Sequence, residues 1–270
     1  LIESFFPGRS DIKRLLLEPI AYANGSSEDD PAIAYSIVFS NFMKSGIYTF
    51  QGGTDQLIGR MVATLEQAGA TIRRRVGVER ILTEGSAGGK RVTGVVAEGK
   101  RIRCRAVISN ANLKRTILEL LGPSAVGDGS FVEEAEAVRL NSSSCQVYMG
   151  IRKGESIPHA GDLLFVSDSP EFSSDELKSP DTESRTFSFY YPETRPHSRE
   201  PRYTVVASSN AKWEDWNELG DDEYERRKEA LVEKTLDVLE RYIPGVRDKI
   251  DHVEAATPRT IHHFTRHWGG

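Results

Sequence analysis

Few residues of this chain stand in an arrangement that performs chemistry by itself. Three histidines gather near the end in Ile261-His262-His263-Phe264-Thr265-Arg266-His267. His263 and His267 are four apart, a spacing that on a helix lets two imidazoles share a zinc ion. The preceding Ala256-Thr257-Pro258-Arg259-Thr260-Ile261 reads as poor helix material, and no third ligand or general-base glutamate stands at useful spacing. No metal site is assigned. The histidines read as solvated or core residues, or as lining of a cofactor cavity. Gly52-Gly53 sits between a short apolar run and a helical pattern, but the G-x-G-x-x-G that brings a backbone against a pyrophosphate does not occur. Taken alone, the pair is a turn. Walker and G-x-S-x-G motifs do not occur either. Cys104 and Cys145 are too few for a disulfide framework or a structural zinc site, and read as inert packing on strands. Trp213 and Trp216, three apart, suit packing of a loop on the core, with a membrane-interface or substrate-mouth role as the alternative.

The chain that must position these groups has 270 residues, 35 basic and 40 acidic, for a formal net charge of -5. That balance argues against broad electrostatic binding to nucleic acid. Length and an apolar share of 38% allow a sizeable core in one large domain or two ordinary ones. No apolar run approaches a membrane span of about 20 residues, and no signal peptide is present. With no such segment the expected location is cytoplasmic or peripheral to a membrane. The start at Leu1 and the stop at Gly270 lead us to expect an excerpt of a longer protein.

Along the sequence, residues 11–18 predict a helix that stops before Pro19. Residues 32–43 predict a helix opened by Pro31 and apolar on every face. Such a helix is buried on all sides or faces something greasy. It is a central core helix or the wall of a lipid-like substrate cavity. Thr54 can cap a helix through Ala68, with Leu57, Ile58, Met61 and Leu65 in one stripe. Strands are predicted at 71–76, 78–83, 91–98 and 101–108, then a helix at 113–121 that Gly122-Pro123 ends. Arg73-Arg74-Arg75 alternate faces on the first of these, so they form no single patch. Later strands are predicted at 144–151, 163–166, 185–191, 203–208 and 249–255, with one long helix at 222–242. Long polar loops separate them. The fold class is α+β.

Tyr48-Thr49-Phe50-Gln51-Gly52-Gly53, the helix ending in Glu66-Gln67-Ala68-Gly69-Ala70, Val78-Glu79-Arg80-Ile81, Val92-Thr93-Gly94-Val95 and Ala106-Val107-Ile108-Ser109-Asn110-Ala111 follow one another in order. Together they resemble the middle of the phytoene desaturase and carotenoid isomerase family of FAD-dependent oxidoreductases, which share the flavin amine oxidase fold. Thr257-Pro258-Arg259-Thr260 and the closing Gly269-Gly270 resemble the approach to that family's last flavin-contacting segment. The resemblance implies an antiparallel or mixed-sheet substrate domain with helices, plus strands and a helix belonging to an FAD-binding α/β domain. It divides the chain into substrate-domain helices (1–50), part of the FAD domain (51–112), the substrate-binding domain (113–262) and a return to the FAD domain (263–270). FAD is the implied cofactor of the full-length protein and is not expected to bind this stretch alone. By resemblance the backbone at Val78 meets the adenine end of FAD, while Gly52, Gly53, Gly269 and Gly270 lie towards the isoalloxazine.

A carotenoid or other long apolar polyene is the implied substrate, held in a hydrophobic tunnel. Tyr35, Phe39, Phe42 and Met43 are the candidate substrate-binding residues. The flavin carries the redox chemistry, so no acid–base dyad is demanded and the catalytic residues stay unknown. Desaturation is the first reading. A redox-neutral cis–trans isomerase and a non-catalytic apolar-ligand module are the alternatives, and peripheral membrane contact fits all of them. Substrate identity, electron acceptor and oligomeric state are not readable from the residues.

Overall fold

The structure, a computed structural model, describes residues 1–24, 30–46, 48, 50, 53–85, 89–125, 129–167, 172–194 and 202–270. In chain order it contains α1 (Ile2–Phe5), α2 (Ser10–Asn24), α3 (Ala32–Ser45) and α4 (Gly53–Gln67). Then come β1 (Val78–Glu84), β2 (Arg91–Ala97), β3 (Lys100–Arg103), a π-helical segment Arg115–Leu121 and α5 (Gly129–Ala137). The rest holds β4 (Ser143–Ile151), β5 (Leu163–Val166), β6 (Arg185–Tyr190), β7 (Thr204–Ala211), α6 (Glu214–Asn217), α7 (Asp221–Tyr242), β8 (Ile250–Ala256) and α8 (Pro258–Thr265). The class is α+β. Residues 1–60, 141–263 and 269–270 form one compact unit, and residues 61–140 with 264–268 form a second.

The first unit is built on an antiparallel sheet of order β5-β6-β7-β4-β8. Alternation sends every second side chain to one face. Pairing aligns Phe189, Val205, Met149 and Val253 in one row, and Phe187, Ala207, Val147 and Ala255 in the next. These rows meet Leu236, Val238 and Leu239 of α7, and Ile243 just beyond it, in the main core. The opposite side of α7 carries ion pairs such as Arg226–Glu223 and Lys228–Glu225, the division expected of a helix lying on a sheet. Trp216 is buried against Cys145 and Ala211, at the end of the sheet where β4 and β7 meet.

Helices α1–α3 form a smaller cluster in which Leu17, Ala21 and Tyr35 pack with Phe172 and Leu177. The Asn210 side-chain amide of β7 donates to the Ala21 carbonyl at 3.1 Å and ties α2 to the sheet. Two expectations change here. First, α2 does not stop before Pro19 but continues to Asn24. Proline removes one backbone hydrogen bond from a helix interior, and buried Leu17 and Ala21 hold the turns on either side. Second, α3 is not buried all round. Among its described side chains only Tyr35 is fully buried, and Ile33, Ile37 and Met43 are 68%, 55% and 75% exposed. The reason is that its packing partners, α2 and the 172–177 segment, lie on one side of it.

The second unit carries a three-stranded antiparallel sheet, β1-β2-β3, against which the π-helical segment rests. Ile81, Ala97, Ile117, Leu120 and Ala135 are its buried hydrophobic residues. The strand expected at 71–76 does not form. All of 71–75 is exposed and Arg75 has a φ of 62°, which reverses the chain. Arg73-Arg74-Arg75 therefore sit on an exposed loop. The strand expected at 101–108 ends at Arg103, five residues early, although the Cys104 N–H still reaches the Thr93 carbonyl at 3.1 Å. Beyond it the chain leaves the sheet, and Ile108 is wholly exposed.

The two thiols stand in different surroundings, which gives a direct test of the packing. Burial pushes the Cys145 thiol up to about 12, while Cys104 is partly exposed. Thiolate is the reactive form, so iodoacetamide at pH 8 should label one thiol per native chain and two after denaturation. Equal labelling rates for both would contradict the burial of Cys145.

Candidate functional site

In the first unit a cavity of 610 Å³ lies among α1, α2 and α3. Ile2, Leu16, Leu17, Ala32, Tyr35 and Phe39 give it apolar walls. Tyr35 and Phe39 are four apart on α3 and so share one face of the helix. Phe42 and Met43 are not in the wall, and both are exposed. Sequence reasoning passed over the polar wall residues Glu3, Lys13, Asp30, Ser36 and Ser40, because they come from separate segments and share no spacing along the chain.

In the second unit a cleft of 390 Å³ opens along the start of β1. Val78, Ile81, Val95 and Ile108 make it apolar, and Ser109, Asn110, Asn112 and Arg115 make it polar. β1 is an edge strand, so one side of its backbone is not engaged by the sheet, and Val78 stands at its first position. An apolar slot beside amide, hydroxyl and guanidinium groups is a donor set that suits a nucleotide: a planar base in the slot, ribose and phosphate oxygens on the polar side. The Asn112 side chain holds the Arg115 N–H through its Oδ1 at 3.2 Å, which fixes this polar edge.

Of the candidate glycines, Gly53 has a φ of 78° and opens α4, with its N–H donating to the Phe50 carbonyl at 2.8 Å. Gln51 and Gly52 lie outside the described residues. Gly270 has a φ of 80°, and a Cβ there would come within 2.6 Å of the Pro258 carbonyl and 2.9 Å of Ser143 Oγ. A side chain does not fit that seat. The Ser142 and Ser143 hydroxyls are buried with no hydrogen-bond partner among the described residues. Gly53, Gly269 and Gly270 belong to the first unit, Val78 to the second.

The histidine-bearing segment does form a helix, α8, contrary to its sequence reading. Pro258 occupies the first turn, where a missing N–H costs nothing. Thr260 Oγ1 accepts the Thr257 N–H at 3.2 Å, and the Ile261 N–H reaches the Thr257 carbonyl at 2.9 Å. The His262 ring packs against that of Trp213 at a tilt of 47° with centroids 5.0 Å apart, and His267 falls beyond the helix. Thr257 is fully buried and its hydroxyl lies 2.9 Å from that of Tyr224, whose ring lies under the Arg259 guanidinium at 4.3 Å. That clasp from α7 fixes the start of α8, and the Thr257 to Gly270 stretch carries the sequence resemblance.

Residues 3–269 match the family described as flavin containing amine oxidoreductase. The chain belongs to this family. FAD is the cofactor that membership in the flavin containing amine oxidoreductase family implies for the parent protein. Relatives include an all-trans-retinol 13,14-reductase of Danio rerio, 24% identical over 261 residues that cover 85% of this chain and 41% of that protein. A lycopene-forming phytoene desaturase of Paracoccus is 27% identical over 234 residues, covering 83% of this chain and 44% of that protein. The chloroplastic prolycopene isomerase of Arabidopsis thaliana is 26% identical over 239 residues, covering 87% and 38%. The chain thus spans about two-fifths of the length of the curated relatives it matches. The crystal structure of an oxidoreductase from Methanosarcina mazei superposes with a TM-score of 0.63 at 15% identity, covering 94% of this chain and 54% of that one. It shares the fold. Among the described residues no helix is long and apolar enough to cross a membrane.

Proposed function

We propose that this chain is the central part of an FAD-dependent oxidoreductase that acts on a carotenoid or other long apolar polyene. The observation that carries the reading is the apolar cavity walled by Tyr35 and Phe39, found in a member of a flavin family. The flavin, when bound, supplies the redox chemistry. The chain's own residues bind, orient and exclude water. In this reading the cleft at Val78 holds the adenine end, with the polar edge of Ser109, Asn110 and Arg115 towards the ribose and phosphates. Gly52, Gly53, Gly269 and Gly270 serve the isoalloxazine end, where a glycine backbone permits close approach. Residues 1–50 and 113–262 then belong to substrate binding, and 51–112 with 263–270 to the flavin. A substrate insoluble in water is drawn from a lipid phase, and exposed Phe5, Ile33 and Met43 suit peripheral contact with a bilayer.

The test is to incubate the protein in its complete form with a polyene and weigh the product. Loss of two hydrogens supports desaturation. Unchanged mass with altered geometry moves the reading to isomerisation, and gain of two hydrogens to saturation. Complete protein that stays colourless and cannot be reconstituted with FAD overturns the proposal. The 270 residues by themselves are expected to bind FAD more weakly than micromolar, because G-x-G-x-x-G is absent from them. Titration that finds micromolar or tighter affinity would refute this expectation.

A further inference from the structure

The two units carry opposite charge. Residues 61–140 and 264–268 hold fourteen basic and nine acidic residues, so the second unit is positive within a chain of net charge -5. Part of that charge is gathered on one side of its sheet. Pairing places Arg80, Val96 and Arg101 in one row, and Leu82, Gly94 and Arg103 in the next. Side chains alternate along a strand, so the two rows share a face. Ile81 and Val95 point to the other face, the side of the cleft. By strand geometry Arg80 and Arg101 stand about 10 Å apart across β2, and Arg101 and Arg103 about 7 Å apart along β3.

Arg80, Arg101 and Arg103 are all exposed. None of the three guanidiniums forms a hydrogen bond or an ion pair among the described residues. Arg226, Arg241 and Arg247 of the first unit, by contrast, each meet a carboxylate. Arg73, Arg74 and Arg75, on the exposed loop leading into β1, are likewise unpaired. Holding like charges this close costs the fold stability, and an anionic partner removes that cost.

Chemistry and size choose the partner. Guanidinium forks match phosphate oxygens two at a time. Strands β1, β2 and β3 contain no aromatic side chain on which nucleic-acid bases could stack. A stable protein interface takes about 800 Å² from each partner. A face three strands wide, with β3 only four residues long, measures roughly 10 Å by 13 Å and falls well short of that. A bilayer needs no matching outline and offers phosphate wherever a guanidinium lands.

We propose that the outer face of β1-β2-β3, through Arg80, Arg101 and Arg103, docks on the phosphate headgroups of an anionic lipid bilayer. The exposed apolar residues of the first unit do not distinguish one headgroup from another. These arginines do. The attraction does not depend on the substrate, so failure of the polyene assay leaves it standing.

The complete protein is sedimented with vesicles of phosphatidylcholine alone and of phosphatidylcholine mixed equally with phosphatidylglycerol. Binding is expected to the mixed vesicles only, and to disappear between about 0.1 M and about 1 M salt as screening shortens the reach of each charge. Replacing Arg80, Arg101 and Arg103 together with glutamine is expected to weaken it about a hundredfold. The same three positions changed to lysine keep the charge and should retain most of the binding, which separates lost charge from lost folding. Equal binding to both vesicles, or binding that the glutamine variant keeps, overturns the proposal. So does an unchanged affinity at high salt. Tighter binding to duplex DNA than to the mixed vesicles would make the face a nucleic-acid surface and overturn it as well.

Discussion

Replacing Phe187 with alanine is expected to lower the stability of the first unit by about 3–5 kcal/mol. Phe187 is fully buried near the middle of the five-stranded sheet, aligned with Leu164 on one side and Ala207 on the other. Ala207 is too small to fill the space left behind, and neighbouring Val147 and α7 are fixed by their own packing. The site therefore collapses poorly, which puts the cost at the upper end for large-to-small changes. Whole domains are stable by only about 5–15 kcal/mol, so the variant loses a large share of its margin. Urea unfolding followed by circular dichroism should show the midpoint fall by about 2 M at an ordinary slope. A shift below about 0.5 M would mean that Phe187 is not at the centre of the core.

Arg185→Met is expected to cost about 3 kcal/mol, although the stem of the side chain is retained. Arg185 is among the largest fully buried side chains in the protein. Its guanidinium donates to Thr235 Oγ1 on α7, to the Thr182 carbonyl at 2.9 Å and to the Glu183 carbonyl at 3.1 Å. It thereby joins the start of β6 to the middle of α7. Methionine leaves those carbonyls without this donor in a place water reaches poorly, and an unmet buried acceptor costs about 1–3 kcal/mol. The control is Glu183→Gln, which breaks only the half-exposed pair with Arg241 at 3.0 Å and should change stability by less than about 1 kcal/mol. Equal effects of the two substitutions would overturn the role assigned to Arg185.

Sequence reasoning located the large sheet well because its strands alternate cleanly against polar loops. The predicted 144–151, 163–166, 185–191 and 249–255 lie within a residue of β4, β5, β6 and β8. The long helix at 222–242 differs from α7 by one residue. The failures have local causes. Residues 71–76 have strand-like residue types, but five of the six are exposed and pair with nothing among the described residues, so propensity had no packing to support it. The stretch Ala256 to Ile261 read as poor helix material, yet Pro258 stands in the first turn of α8. Pro19 looked like a stop and was absorbed because Leu17 and Ala21 are anchored around it.

The candidate site was legible in its apolar half only. Tyr35 and Phe39 are large side chains on one helical face, and both line the cavity. Lys13, Ser36 and Ser40 gain meaning only when α2 and α3 are brought together, which no spacing within a single helix reveals. Gly270 is similar: its tight seat depends on Pro258 and Ser143, the latter more than a hundred residues away in sequence.

The order of strands in the first unit also sets a timetable for synthesis. β4 is bordered by β7 and β8, which emerge from a ribosome some 60 and 100 residues after it. At about 5–20 residues per second, β4 waits several seconds with both flanks unpaired. The second unit's sheet, by contrast, is complete within 26 residues, from Val78 to Arg103, and its contacts are local enough to form while the larger sheet is still being made. During that wait the half-made strands Val147 to Ile151 and Phe187 to Phe189 are the stretch most exposed to mispairing with other chains. A nascent-chain stall before residue 250 should therefore leave a formed β1-β2-β3 sheet attached to a protease-sensitive first unit.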